Sequence, residues 1–220
     1  MATPNQSSSD ESKTISEILI SELPRERGWE TDDEDIYLLN GFWNPTWVIH
    51  GLLALQQHFK PHPNDVLLAS FPKSGTTWLK ALLFSIVNRA TYNHDDMMHP
   101  LLNSNPHDLV PWLEPYAFTN RTNLRPPQSF LFHTHLAYSS LPEQIRSSSC
   151  RIVYVFRDPK DVLVSYWHFH FFQPILPRKG EIGDSKNHLS EEMREILDQI
   201  RDGKFNEVGL TTFVPLVKTE

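Results

Sequence analysis

Residues 65–89, DVLLASFPKSGTTWLKALLFSIVNR, contain the pattern that leaves this chain the fewest folds to choose from. Residues 66–71 are a short apolar run of strand length, and PKSGTT follows as a turn of small and hydroxyl residues with one lysine. Leu79, Leu82, Leu83, Ile86 and Val87 then recur at the spacing of a buried helical stripe. A strand that passes through a glycine-containing loop into a helix builds an anion site. The first N–H groups of the helix lack partners within it, and its dipole turns its positive end outward. Gly75 lets the backbone come close to a ligand. Lys73 reaches a phosphate as a point charge, and Ser74, Thr76 and Thr77 offer hydroxyl donors. One helix terminus gives an anion only about 0.3–1 kcal/mol. Each hydrogen bond to a charged group adds about 1.5–3 kcal/mol, so binding rests on the sum of donors.

Residue order narrows the chemistry. A Walker A loop reads GxxxxGK[ST], with lysine after the second glycine. Here Lys73 comes two residues before Gly75, the only glycine of the loop, which sets the chain apart from ordinary nucleoside triphosphatases.

The 220 residues suffice for one domain with a sizeable core, and 39% hydrophobic and 11% aromatic content marks a globular protein. The apolar runs are too short to cross a bilayer, and the polar, acidic start MATPNQSSSDESK lacks a signal-peptide core. Cys150 is the single cysteine, which leaves out a disulfide framework or thiolate metal cluster and favours a cytoplasmic setting. The net charge of -7 lies in residues 1–35, which carry ten acids and three bases. The rest is neutral overall, which argues against a nucleic-acid surface. We expect residues 1–35 to be largely disordered, with a short helix at 14–22, and residues 36–220 to form a single domain.

Further along, residues 37–39 read as a short strand, and GFWNPTW reads as a turn or loop before a helix over 46–59. Phe42 and Trp43 suit either core packing or a ligand wall. Residues 90–125 read as loop. Their histidines His94, His99 and His107 lie among helix-breaking prolines without metal-ligand spacing, so no metal is expected. Residues 129–135 (SFLFHTH) and 151–156 (RIVYVF) are further apolar runs, with a turn into a helix over 136–146 between them. Successive apolar positions suggest strands buried on both faces, hence an α/β fold with a central parallel sheet flanked by helices.

The second anchor is RDPKDVLVSYW, residues 157–167. Arg157 falls at the carboxyl end of its strand, where open α/β sheets bind ligands. Asp158 suits an N-cap and Pro159 the first helical turn. Arg157 offers a planar fork for a phosphate and Ser165 a hydroxyl. The plainer alternative pairs Arg157 with Asp158 or Asp161.

PKSGTTW, HPLL…NPHDLVPWLE, RDPKDVLVSYW and SELPRERGW together resemble the plant-type cytosolic, PAPS-dependent sulfotransferases (PAPS is 3′-phosphoadenosine 5′-phosphosulfate). The resemblance covers about residues 20–172 and 178–213. It implies the sulfotransferase version of the P-loop fold, and transfer of a sulfuryl group from PAPS to a hydroxyl of a small organic acceptor such as a flavonol, hydroxyjasmonate or steroid. It implies that Lys73, Ser74, Gly75, Thr76, Thr77 and Trp78 bind the phosphosulfate and adenine side, and that Arg157, Ser165, Arg178, Lys179 and Gly180 bind the 3′-phosphate. It also makes His135 the base and gives Lys73 the developing charge on the leaving phosphate. A neutral imidazole suits that base role near neutral pH. Two departures from the family's (K/S/A)-T-H-L-P context stand out: His133 replaces a small residue or lysine, and Ala137 replaces proline.

After His168 the resemblance breaks off and resumes at RKGEIGD, residues 178–184. Full-length relatives carry a large helical block between these motifs, so we expect an internal block to be missing near 173–177. Those five residues span at most about 18 Å. Apolar faces that normally pack on the block would then be exposed. Ser190 reads as the N-cap of an amphipathic helix over 190–201, with Met193, Ile196, Leu197 and Ile200 on its apolar face. Lys186 to Glu195 loosely matches the family's dimerisation segment, on which alone a homodimer is expected. Two rival readings stay open: an internally deleted, inactive or weakly nucleotide-binding variant, and a nucleotide kinase with a different P-loop.

Overall fold

The computed structural model describes residues 16–28, 34–92, 97–120, 124, 130–171 and 182–207. Close packing divides the chain into two units, residues 1–70 with 77–154, and residues 71–76 with 155–220.

The first unit begins with helix α1 over residues 16–22, close to the helix expected there. Strands β1 (Arg25–Arg27), β2 (Asp35–Leu39) and β3 (Phe42–Pro45) form an antiparallel sheet in that order. GFWNPTW is therefore not a plain loop. Asn40 and Gly41 take positive φ values of 53° and 82°, and Leu39 pairs with Phe42 across them. Such a two-residue turn with both φ positive is the Asn-Gly hairpin, which continues the chain directly into β3. Helix α2 (Thr46–His58) follows.

The central sheet has the order β5-β4-β6, with β4 (Val66–Ser70) between β5 (Leu131–Thr134) and β6 (Arg151–Val155). β4 and β5 run parallel, from Val66 opposite Leu131 to Ala69 opposite Thr134. β5 is buried along its whole length, and so is β4 after Val66, as the uninterrupted apolar runs require. β6 is an edge strand and more exposed. Helix α3 (Thr76–Val87) leaves the end of β4 through the PKSGTT loop. Residues 90–125 are not simply loop: α4 (Pro106–Leu109) and α5 (Leu113–Thr119) interrupt them. A 3₁₀ turn (Tyr138–Ser140) and α6 (Glu143–Arg146) take the place of the helix expected over 136–146.

The core joins Leu52, Leu55 and Phe59 of α2 and its C-cap to Leu67, Leu113, Ala117, Phe132 and Ile145. Phe59 and Phe132 meet edge to face at 5.7 Å. α2 and α5 approach closely because residue 51 is glycine: a Cβ there would lie 2.3 Å from the carbonyl oxygen of Glu114.

In the second unit, α7 (Pro159–Phe171) starts as expected, with the Asp158 carboxylate accepting from Lys160 N at 2.9 Å. Asp161 accepts from the backbone N–H groups of Gly183 (2.7 Å) and Ser185 (3.1 Å), which ties α8 (Ser185–His188) to α7. Helix α9 (Glu191–Glu207) is capped by Ser190, whose hydroxyl accepts from Met193 N, but it runs longer than expected. Its packed face also differs. Lys160 pairs with Asp198, and Phe156 meets Phe205 at 5.4 Å, while Met193, Ile196 and Ile200 face outward.

Helix α3 departs in the same way. Leu82 and Ile86 of its expected buried stripe are 45% and 46% exposed, whereas Lys80 is 1% exposed. A stripe reads as buried only if a partner covers it, and here the polar neighbours of Lys80 decide which side turns inward.

Candidate functional site

In the second unit the PKSGTT loop is held in an unusual shape. Lys73 has φ +64° and Gly75 φ +100°. A non-glycine residue in that region is strained by roughly 1–3 kcal/mol and persists only where its surroundings impose it. Part of that surrounding is Arg157, whose Nη1 donates to the Lys73 carbonyl oxygen at 3.2 Å. The two motifs singled out in the sequence thus meet. The Lys73 ammonium lies 4.0 Å from the centre of the Phe169 ring, a cation–π contact from α7. Burial lowers the Lys73 pKa, and the Arg157 charge lowers it further. Two cations held this close favour an anion between them. Among the described residues nothing lies within 4 Å of where a side chain at Gly75 would begin, so the backbone there is approachable.

Ser165 is buried one turn beyond Asp161 on the same face of α7. Burial raises the Asp161 pKa, but bonds from Gly183 and Ser185 and the nearby Arg157 charge outweigh it and hold the carboxylate below its ordinary value. Arg157 therefore serves Asp161 electrostatically while its Nη1 bonds the Lys73 carbonyl. Arg178, Lys179 and Gly180 lie outside the described residues.

The first unit holds His135, at the end of β5. Its Nδ1 bonds the carbonyl oxygen of Ser70. A carbonyl only accepts, so Nδ1 carries the hydrogen and Nε2 keeps its lone pair, the tautomer a base requires. The His135 backbone N–H donates to Glu114 Oε1 at 2.8 Å, and Trp112 stands edge-on to the ring at 4.8 Å. Burial lowers the His135 pKa to about 4, below the free value assumed from sequence. The Ser70 bond opposes that shift, and the charges of Lys80 and His107 add to it. His133, also buried, bonds the Ser70 hydroxyl at 3.4 Å through Nε2 and packs against His135 at 4.3 Å. Burial, then the neighbouring cations, push its pKa far down.

Thr76 is buried, Thr77 is exposed, and Trp78 is 78% exposed at the start of α3. Phe42 and Trp43 are each partly exposed, so neither is a core residue.

Three polar residues escaped sequence reasoning. Glu114 is buried and its pKa raised by desolvation, although donors led by the His135 N–H pull it back. Lys80 donates to His107 Nδ1 (3.1 Å) and to the Val110 carbonyl (3.1 Å). Its pKa falls to about 8, burial outweighing the charges of Glu114 and Asp108. His107 Nε2 bonds Thr77 Oγ1 at 2.9 Å. The sequence signals were faint: a carboxylate inside the apolar PWLEP, and a lysine one position off a leucine stripe. No group of histidine, cysteine or carboxylate side chains suited to a metal occurs among the described residues.

The profile of the family described as Sulfotransferase domain matches residues 63–177, which include PKSGTT, RDPKDVLVSYW and His135. This chain belongs to the sulfotransferase family, in its plant cytosolic branch. Cytosolic sulfotransferase 13 of Arabidopsis thaliana is 44% identical over 153 residues, covering 70% of this chain and 45% of that protein. Flavonol 3-sulfotransferase of Flaveria bidentis is 48% identical over 134 residues, covering 61% and 42%. The crystal structure of an Arabidopsis thaliana protein provisionally assigned as a steroid sulphotransferase matches with a TM-score of 0.65 at 30% identity, covering 99% of this chain and 84% of that one. The chain spans about half the length of the curated relatives it matches. No helix among its described residues is long and apolar enough to cross a membrane.

Proposed function

We propose that this chain transfers a sulfuryl group from PAPS to a hydroxyl of a small organic acceptor in the cytosol. The observation that carries the reading is the bond from Arg157 to the Lys73 carbonyl. It joins a loop suited to a phosphosulfate to an arginine suited to a 3′-phosphate, the two charged ends of one nucleotide. Lys73, Ser74, Gly75, Thr76, Thr77 and Trp78 hold the phosphosulfate and adenine side. Arg157 and Ser165, with Arg178, Lys179 and Gly180, hold the 3′-phosphate.

His135 Nε2 accepts the acceptor's hydroxyl proton while the acceptor oxygen bonds to sulfur. The bond from sulfur to the 5′-phosphate oxygen breaks, and its electron pair stays on that oxygen. The products are a sulfate ester and adenosine 3′,5′-bisphosphate. Lys73 and the loop N–H groups stabilise the charge that develops on the leaving phosphate. With a pKa of about 4, His135 is neutral across the physiological range but weakly basic, which favours proton transfer concerted with bond formation over prior deprotonation. No metal enters this scheme. Flavonols are one acceptor class to try first, since a flavonol 3-sulfotransferase is among the relatives.

The abrupt step from RDPKDVLVSYW to RKGEIGD supports a second reading, a chain that lost an internal block near 173–177 and binds nucleotide without turnover. Incubating the 220-residue chain with sulfur-labelled PAPS and a flavonol panel decides between them. Labelled ester that disappears in His135→Asn supports transfer. Stabilisation by adenosine 3′,5′-bisphosphate without ester supports the second reading. Stabilisation by ATP and magnesium alone would overturn both in favour of a kinase.

A further inference from the structure

We infer that Lys80 and His107 form a hydrogen-bond relay that fixes the Thr77 hydroxyl as a donor to the nucleotide's 5′-phosphate end, making His107 a positioning residue. The inference rests on the PAPS reading for the identity of the anion. The direction of the relay follows from the atoms alone.

Lys80 sits at the fifth position of α3 with its side chain buried beneath the helix. An ammonium has hydrogens and no lone pair, so it can only donate. It donates to His107 Nδ1 at 3.1 Å and to the Val110 carbonyl at 3.1 Å. His107 Nδ1 is therefore the bare nitrogen of the ring, and Nε2 carries the hydrogen. Nε2 lies 2.9 Å from Thr77 Oγ1 and must donate to it. The Thr77 oxygen is thus occupied as an acceptor, and its own hydrogen is directed elsewhere. Thr77 is exposed in the first turn of α3. The relay therefore removes the orientation in which Thr77 would spend its hydrogen on His107, and leaves that hydrogen for a ligand.

His107 itself is held by its own segment. Asn105 caps α4 by accepting from His107 N at 2.9 Å, with Pro106 at the first helical position. The imidazolium form would set a second donor against the Lys80 ammonium. Burial and that same lysine hold the His107 pKa below its ordinary value, with Asp108 opposing, so the neutral ring is kept. Of the three staggered positions of the hydroxyl hydrogen, the one toward His107 is closed, so part of the cost of ordering it is met in folding.

The test is a double-mutant cycle on the 220-residue chain, with adenosine 3′,5′-bisphosphate as the probe in titration calorimetry. Thr77→Val is expected to weaken binding by about 10- to 100-fold, as for one lost hydrogen bond to a charged group. His107→Leu is expected to weaken it severalfold, and the double variant to bind no worse than Thr77→Val alone. His107→Gln, which can still donate toward Thr77, is expected to recover part of the loss. Independent, additive losses in the cycle, or His107→Leu binding like the wild type, would overturn the relay. Should His107→Leu not fold, ¹⁵N NMR of the wild-type His107 ring decides: protonated Nε2 with bare Nδ1 supports the relay, and the opposite tautomer overturns it. A wild-type chain that does not bind the nucleotide would sink the functional reading instead, and the NMR measurement would still judge the order of the hydrogen bonds.

Discussion

Arg157 reaches back 84 residues to donate from Nη1 to the carbonyl oxygen of Lys73, at 3.2 Å. The carbonyl it bonds belongs to a residue whose own backbone is strained, at φ +64°. The guanidinium thus helps hold the loop shape.

Replacing the guanidinium fork with a single ammonium should disturb both that hold and the proposed grip on the 3′-phosphate. Arg157→Lys is expected to lower affinity for adenosine 3′,5′-bisphosphate by about 10- to 100-fold, since the two-pronged charge-assisted geometry is lost. Calorimetric titration checks it. Affinity within a factor of two of wild type would remove Arg157 from the binding role.

His135→Asn separates binding from chemistry. Turnover is expected to fall by about 10²–10⁴, the usual worth of a general base, with nucleotide affinity unchanged. The pH profile of the wild type follows from the folded pKa of about 4. The lone pair on Nε2 is free above that value, so the acidic limb due to this group should fall near pH 4 in the free enzyme rather than near 6.5. A limb centred near 6.5 would show that the imidazole is far better solvated than its burial indicates.

Gly51→Ala tests the seam between α2 and α5. The added carbon would meet the Glu114 carbonyl oxygen at 2.3 Å, a backbone atom that cannot swing aside. Overpacking of this kind typically costs about 1–3 kcal/mol, so the melting temperature should drop by several degrees. Because Glu114 also receives the His135 N–H, the variant should lose turnover beyond what its lower stability explains.

Lys80 makes stability depend on alkaline pH. Its pKa is 10.5 when unfolded and about 8 when folded. Between those values the unfolded chain binds more protons than the folded one, so stability from this group rises as pH climbs from about 8 to 10.5. Thermal melts across that range should show the rise in the wild type and its loss in Lys80→Met. Parallel curves for the two proteins would contradict the burial of a titrating lysine.

The parts legible in the sequence were those set by short-range rules. The run into PKSGTT gave β4, the loop and the start of α3, because strand length, a glycine and a helical period are all local signals. Asp158, Pro159 and Ser190 marked helix starts that the structure confirms by hydrogen bonds from Lys160 and Met193. The Asn40–Gly41 turn was also local and could have been read as a hairpin, but Pro45 drew attention to a loop instead. Helix faces were the weak point. Leu82 and Ile86 of α3, and Met193, Ile196 and Ile200 of α9, formed clear apolar stripes, yet all are partly exposed. Periodicity tells which side of a helix could be buried, while the neighbours decide which side is. The polar support of His135 and Thr77 was unreadable for a related reason. Glu114 and His107 act through partners 21 and 30 residues away, and a lone acid or histidine carries no mark of its distant partner.

The carboxylate of Asp161, gripping the N–H groups of Gly183 and Ser185, acts as a staple between the body of α7 and the chain that returns to it. Whatever length of polypeptide runs between those points closes a ring whose ends are already pinned. Ring closure depends only logarithmically on length, so an intervening stretch ten times longer would cost about 2 kcal/mol more. A longer or shorter intervening stretch would therefore leave the junction of α7 and α8 pinned at little cost.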